Sequence, residues 1–281
     1  MNKHLLNPKL LLKLFVDRRP FRGASEFSFR FLPAQQGQHR ILVSSRQGAF
    51  RRTVALRQDS SDLSTFEQIF ADTHYNHRRL TRADEITRMY ETMAEAQPLI
   101  LALGANVGLS PLYFAKNWPA ASILAVEPDP QNFRLLCENT AGVDNIVPIN
   151  AAVASEDGAV RISNADEEAW ARRTEAAAPG AAESIPALSV ASLIKRAAGG
   201  CRPFIAKIDI EGFESNLFSK DTAWVDLFPV LYIELHDWML PGHGTSHNFL
   251  RVISQLQRDF ILSGENVVSI AHAAQPAGPV A

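Results

Sequence analysis

From residue 98 onward the chain alternates apolar runs of about four to seven residues with segments of helical periodicity. No other feature restricts the fold as strongly. A strand without polar alternation has to be buried on both faces, and intervening helices supply the cover. The runs at 99–103, 122–126, 145–149, 204–208 and 230–234 read as strands. The segments 109–117, 130–140, 189–197 and 246–258 read as helices, the last with Thr245 or Ser246 as its cap. FILSGENVVSI, 260–270, holds two apolar runs around Gly264-Glu265-Asn266 and reads as a hairpin. The expected class is α/β, a mostly parallel sheet with helices on both faces.

Upstream, residues 40–57 read as two short strands around a turn near Gln47-Gly48. Residues 61–71 and 81–95 read as helices capped by Asp62 and Thr81. Residues 163–188, Ala-rich and charged, show no strand pattern and read as a loop or an inserted helix. The expected division is a basic extension with a helical lid or platform over 1–95, a catalytic domain over 96–270 and a frayed tail over 271–281.

Charge is distributed unevenly. Residues 1–57 carry 12 Lys+Arg against Asp17 and Glu26, a balance of +10, and the rest carries −12. A basic arm suits an anionic surface or the acidic body of the same chain. Its lysines and arginines form no compact run interleaved with aromatics, so nucleic acid is not an expected partner. Residues 8–17 suit a short amphipathic helix that rests on the body or peripherally on a membrane. No run of 18 apolar residues occurs, and two cysteines, Cys137 and Cys201, are too few for a disulfide scaffold. The expected location is the cytoplasm. Cys137 reads as a packed apolar residue.

The first βαβ unit holds the main chemical signal. The run ending at Leu103 leads into Gly104-Ala105-Asn106-Val107-Gly108 and then a helix. Gly104 permits a tight turn, Gly108 close helix packing, and Asn106 tolerates positive φ. The next strand ends at Glu127, 23 residues after Gly104, where a carboxylate can accept both hydroxyls of a ribose. A dinucleotide site wants G-x-G-x-x-G. Asn106 stands at the second glycine, which disfavours a pyrophosphate and with it an NAD-dependent oxidoreductase. A compact nucleoside such as S-adenosylmethionine remains.

With these pieces the sequence resembles the FkbM family of S-adenosylmethionine-dependent methyltransferases, over roughly residues 59–270. The resemblance rests on SDLSTFEQIF (61–70), LGANVGLSPLYFA (103–115), VEPDPQNFRLLCEN (126–139), NIVPINAAV (145–153), KIDIEGFE (207–214) and YIELHDW (232–238). It implies the class I methyltransferase fold, a Rossmann-like sheet of seven strands closed by an antiparallel hairpin. It also implies transfer of a methyl group to a hydroxyl of a sugar, glycan or natural product. Gly104, Ala105, Asn106, Gly108, Glu127 and Asp209 are then expected at the cofactor, with Asn150 near the adenine. The family usually has an acid two residues before the first glycine of the loop, and here that residue is Ala102. A catalytically degenerate, methyltransferase-like binding module is the alternative that Ala102 suggests.

The strand 204–208 runs into Asp209 and Glu211, and the strand 230–234 ends in Glu234 with His236 beyond it. Ligands of open α/β sheets bind past the carboxyl ends of strands, so these four residues are the candidate catalytic set. His236 is the natural base for an attacking hydroxyl, with Asp209 or Glu234 orienting it. The preferred reading has no metal; a divalent ion on the His/Asp/Glu set, extended by His243 and His247, is the other.

Overall fold

Phe27, Phe29 and Phe31 alternate with Ser28 and Arg30, the period-two pattern of a half-buried strand. They begin β1 (Phe27–Gln35), which pairs antiparallel with β2 (Gln38–Ser45), which in turn pairs with β3 (Arg51–Arg57). The computed structural model describes residues 26–46, 50–93, 96–163, 173–176, 184–197 and 200–272. The helix expected at 8–17, the turn at Gln47-Gly48 and nearly all of the tail fall outside these residues. The pattern at 40–57 anticipates only β2 and β3, so the small sheet has one strand more than expected.

The helix expected over 61–71 is α-helical only in α1 (Asp62–Phe66) and continues as a wider turn through Glu67–Ala71. Asp62 does not cap it. Its carboxylate is buried and accepts from the Arg57 backbone N–H (2.8 Å), Nε (2.9 Å) and Nη2 (2.7 Å). β3 delivers that guanidinium, and a two-oxygen fork outcompetes a cap bond. α2 (Ala83–Met93) follows.

The main sheet then assembles from β4 (Pro98–Leu103), α3 (Leu109–Asn117), β5 (Ser122–Val126), α4 (Pro130–Thr140) and β6 (Ile146–Ile149). β7 (Ala152–Ala154), β8 (Gly158–Ser163), β9 (Arg173–Ala176) and β10 (Ile185–Ser189) form a separate sheet in the order β7-β10-β8-β9. Residues 163–188 are therefore not simply loop or helix: two short strands lie there. Strands of four and five residues are held by ladder bonds to neighbours, which local propensity does not reveal. The chain returns through α5 (Val190–Arg196), β11 (Arg202–Ile208), α6 (Glu214–Leu217), β12 (Val230–Glu234), α7 (His247–Ile253), β13 (Arg258–Ser263) and β14 (Asn266–Ala271).

The seven-stranded sheet has the order β13-β14-β12-β11-β4-β5-β6. Its members run parallel except β14, which is antiparallel to both of its neighbours, β12 and β13. This is the class I methyltransferase arrangement. The hairpin starts at Arg258, two residues before the expected position, and α7 stops at Ile253 rather than 258. The buried Arg258 guanidinium causes this, since it donates to Phe228 O (3.0 Å), Ser269 Oγ (2.9 Å) and Ser269 O (3.1 Å). Ser246 occupies the N-cap position of α7 without a side-chain cap bond.

Every residue of β4 is buried, and its side chains divide between two cores. Ile100 and Ala102 join a core with β1–β3, α1–α4 and the aromatic group Phe27, Phe66, Phe70, Tyr75, Tyr113 and Tyr232. Leu99, Leu101 and Leu103 join the core under α5 and α7. Each buried large apolar side chain stabilises by about 1.5–3 kcal/mol before conformational entropy is counted. Asn139 ties the first core to β3, donating to Ala55 O (3.0 Å) and Val107 O (2.8 Å) and accepting from Ala55 N (2.7 Å). On α4, Leu135, Leu136, Asn139 and Thr140 face inward, so Cys137 between them points outward and is exposed rather than packed.

Candidate active site

The chain runs outward from β4 to β5 and β6 on one side and from β11 to β12 on the other. β4 and β11 are therefore the switch point, where open α/β sheets bind ligands. Their ends meet closely. Asp209 N donates to Leu103 O (3.1 Å), and a Cβ on Gly104 would lie 1.7 Å from the Asp209 carbonyl oxygen. Only glycine fits, and at φ +73° only glycine is unstrained. Lys207, 2 % exposed on β11, donates to Gly104 O (2.5 Å) and Asp209 Oδ2 (3.0 Å). Ala102 lies directly beside this lysine in the β4–β11 register. The loop that follows Ala102 is held here by a lysine.

Beyond the loop is a cleft of about 670 Å³ lined by Gly104, Asn106, Glu127, Asn132, Asp209 and Glu211 among others. Glu127 is 4 % exposed, and burial pushes its carboxyl up to about 7 against the hydrogen bonds it accepts. Oε2 accepts from Asn106 N (2.8 Å), and Oε1 from Asp129 N (3.0 Å) and Asn132 Nδ2 (3.2 Å). Asn106 keeps φ +49° to make that bond. The buried oxygens Asn106 Oδ1 and Asn132 Oδ1 have no hydrogen-bond partner. The Asn150 amide donates to Glu127 O (2.8 Å) and Pro128 O (3.1 Å), bracing the turn, and Ala151–Val153 beside it line the cleft. Gly108 starts α3 at φ +89°, where a Cβ would meet Leu136 Cδ1 at 2.9 Å, so its part is packing.

A second cleft of about 460 Å³ shares Gly104, Asn106 and Asp209 with the first. Thr65, Gln68, His74, Tyr75, Glu234 and Glu265 also line it, and Gln68 Nε2 bonds Glu265 Oε2 (3.0 Å) across its mouth. The segment before β4 thus forms one wall of the site.

The four candidate catalytic residues do converge. His236, 1 % exposed, points Nε2 at Asp209 Oδ1 (3.6 Å), Glu211 Oε2 (3.6 Å) and Glu234 Oε1 (3.7 Å). Its Nδ1 is taken by Glu214 Oε1 at 2.7 Å. Burial pulls the imidazole down, but the Glu214 bond and the charges of Glu214, Asp209 and Glu211 outweigh it and raise it to about 9. The surrounding acids thus favour the protonated ring over the free imidazole. Burial and the Asp209 charge push Glu211 up to about 9 and Glu234 up to about 7. Asp209 is lowered: Lys207 and His236 overcome its burial. Glu211 sits at φ +53°, a sparsely populated conformation for glutamate that aims its side chain into the group. His243 and His247 stand apart from this cluster.

Glu214 and the bracing role of Lys207 were not expected. Glu214 was legible as an acid within the apolar segment GFESNLF, since a buried carboxylate there demands a partner.

The methyltransferase FkbM domain family matches the chain over residues 103–262. No curated protein matches it significantly. Among solved structures, a methyltransferase FkbM from Methylobacillus flagellatus KT is 15% identical, with a TM-score of 0.42, over 62% of this chain and 44% of that one. Monomeric WbdD is 12% identical, with a TM-score of 0.38, over 69% and 41%. A methyltransferase from Geobacter sulfurreducens is 13% identical, with a TM-score of 0.33, over 76% and 90%. The matched region spans less than half the length of the first two. These structural likenesses are too distant to carry an argument about activity. The family match covers more than half of the chain, and its motifs fall on the loop, strands and clefts described above: the chain belongs to the FkbM methyltransferase domain family.

Proposed function

We propose that the protein transfers the methyl group of S-adenosylmethionine to a hydroxyl oxygen of a sugar-like or otherwise polyhydroxylated acceptor. The observation that carries the cofactor reading is the larger cleft, where Glu127, Asn106 Oδ1 and Asn132 Oδ1 present acceptors to a nucleoside's hydroxyl and amino donors. When bound, the cofactor supplies a methyl group on a positively charged sulfur and leaves as S-adenosylhomocysteine. Glu127 would hold the ribose, and Lys207 would keep Gly104 and Asp209 in place beneath the reacting end. Asp209, Glu211 and Glu234 would orient the acceptor hydroxyl, and Glu234, held at about 7, would receive its proton as the new C–O bond forms. Trp238, 66 % exposed two residues after His236, offers an apolar face to a sugar ring at the rim. No helix among the described residues is long and apolar enough to cross a membrane, which fits an acceptor met in water.

Calorimetric titration with S-adenosylmethionine and S-adenosylhomocysteine, with NAD as control, tests the cofactor reading. Micromolar binding is expected, weakened about tenfold or more, or about 1.4 kcal/mol, in Glu127→Gln. No binding by a folded protein would overturn it and favour the non-catalytic binding module that Ala102 suggests. A screen of hydroxylated sugars for S-adenosylhomocysteine release tests the acceptor class.

A further inference from the structure

We propose that Asp209, Glu234 and His236 form a binding site for a divalent first-row transition-metal cation such as Mn²⁺. Glu211 stands by as a further carboxylate, and Glu214 positions the imidazole.

The donors are already assembled. One atom each from Asp209, Glu234 and His236 lies within 4.8 Å of the others. A cation with ligands at about 2.1 Å places neighbouring donors roughly 3 Å apart and opposite donors roughly 4.2 Å apart. The separations of 3.6 Å and 3.7 Å from Nε2 lie inside that range.

The imidazole supplies an independent observation. His236 is buried, yet its Nε2 has no hydrogen bond, because 3.6 Å is too long for one. Nδ1 is held by Glu214, whose side chain is fully buried and whose second oxygen lacks a partner. A carboxylate on Nδ1 keeps the proton there and fixes the ring, so a metal arriving at Nε2 displaces only the outward proton and finds the nitrogen already aimed at it. A histidine kept only for packing has no need of a buried acid behind it and three carboxylates in front.

The donor set selects the metal. Mg²⁺ and Ca²⁺ prefer all-oxygen sites, whereas one imidazole with two carboxylates suits Mn²⁺ and its neighbours. The site lies at the carboxyl ends of β11 and β12, beside the point shared by both clefts. A cation there would hold neighbouring Glu211 ionised, ligate an acceptor hydroxyl and ease transfer of that hydroxyl's proton to Glu211. That consequence rests on the proposed function; the cation site itself does not.

The test is titration of chelator-treated, full-length protein with Mn²⁺, followed by the paramagnetic resonance signal of the free ion, with S-adenosylhomocysteine affinity measured on the same samples. One Mn²⁺ per chain is expected, with Mg²⁺ a weak competitor. Glu234→Gln and His236→Gln should each weaken binding tenfold or more. Glu214→Gln should weaken it less and alter the resonance line shape of the bound ion. Absence of Mn²⁺ uptake by protein whose circular dichroism is native would overturn the proposal, as would uptake indifferent to both ligand substitutions. Because cofactor affinity is read separately, loss of one result leaves the other standing.

Discussion

Replacing Lys207 by Met tests whether this lysine holds the cofactor loop. Met keeps most of the stem's apolar packing and removes the amine. Two contacts are lost, the 2.5 Å bond to Gly104 O and the 3.0 Å pair with Asp209 Oδ2. A hydrogen bond to a charged group contributes about 1.5–3 kcal/mol. Breaking a fully buried ion pair costs about 3–5 kcal/mol, but the Asp209 side chain is 26% exposed and keeps His236, so well under half of that applies. The Met side chain also avoids the cost of burying an ammonium. The expected loss is about 2–3 kcal/mol, read by urea unfolding in metal-free buffer. The pH dependence has a defined sign. In the parent, Asp209 titrates below its ordinary value, so it stabilises above that value and the benefit is lost as the pH falls through the folded pKa. Without Lys207 its burial is less compensated and the carboxyl rises. The destabilisation should therefore grow as the pH rises from below the ordinary aspartate value and through it. Adding Asp209→Asn should recover part of the loss. A loss below about 0.5 kcal/mol, or one flat with pH and unrelieved by Asp209→Asn, would refute the bracing role.

Gly104→Ala should be more damaging: its methyl would sit 1.7 Å from Asp209 O at φ +73°, so β4 and β11 must part at their ends. A loss of about 3 kcal/mol or more, with cofactor binding abolished, is expected in unfolding and calorimetric assays. His77, buried and 4.3 Å from the Trp118 ring centre, is held down to about 4 by burial and by the Arg78 charge. The unfolded chain binds that proton near pH 6.5, so stability is full above that value and falls as the pH drops toward 4, by up to about 3 kcal/mol. His77→Phe should flatten that part of the stability–pH curve.

The five parallel strands were legible because buried strands write uninterrupted apolar runs, as LILAL and SILAV do. The loop and Glu127 were legible because glycine and an acid at fixed spacing have few other uses there. The turn-bracing bonds of Asn150 were not legible, because a short amide at a strand end serves a turn as readily as a ligand. The His236 environment was partly hidden for a different reason. Its decisive partner, Glu214, comes from another strand's exit, and a local pattern contains no distance between separate elements. β9 and β10 were hidden because their partners, not their residues, make them strands.

The way β14 is inserted into the sheet bears on what can be cut from this protein. β14 lies between β12 and β13, although it follows both in the chain. The stretch shared with the family, 103–262, opens on the last residue of β4 and closes before β14 begins. A fragment trimmed to that stretch would lack the strand that joins β13 to β12 and would leave β13 nothing to pair with. It would also bare the side of α4 that Asn139 and the β3 backbone now close. The extent of shared ancestry and the smallest piece able to fold are different lengths of chain here, and expression boundaries belong outside β1 and β14.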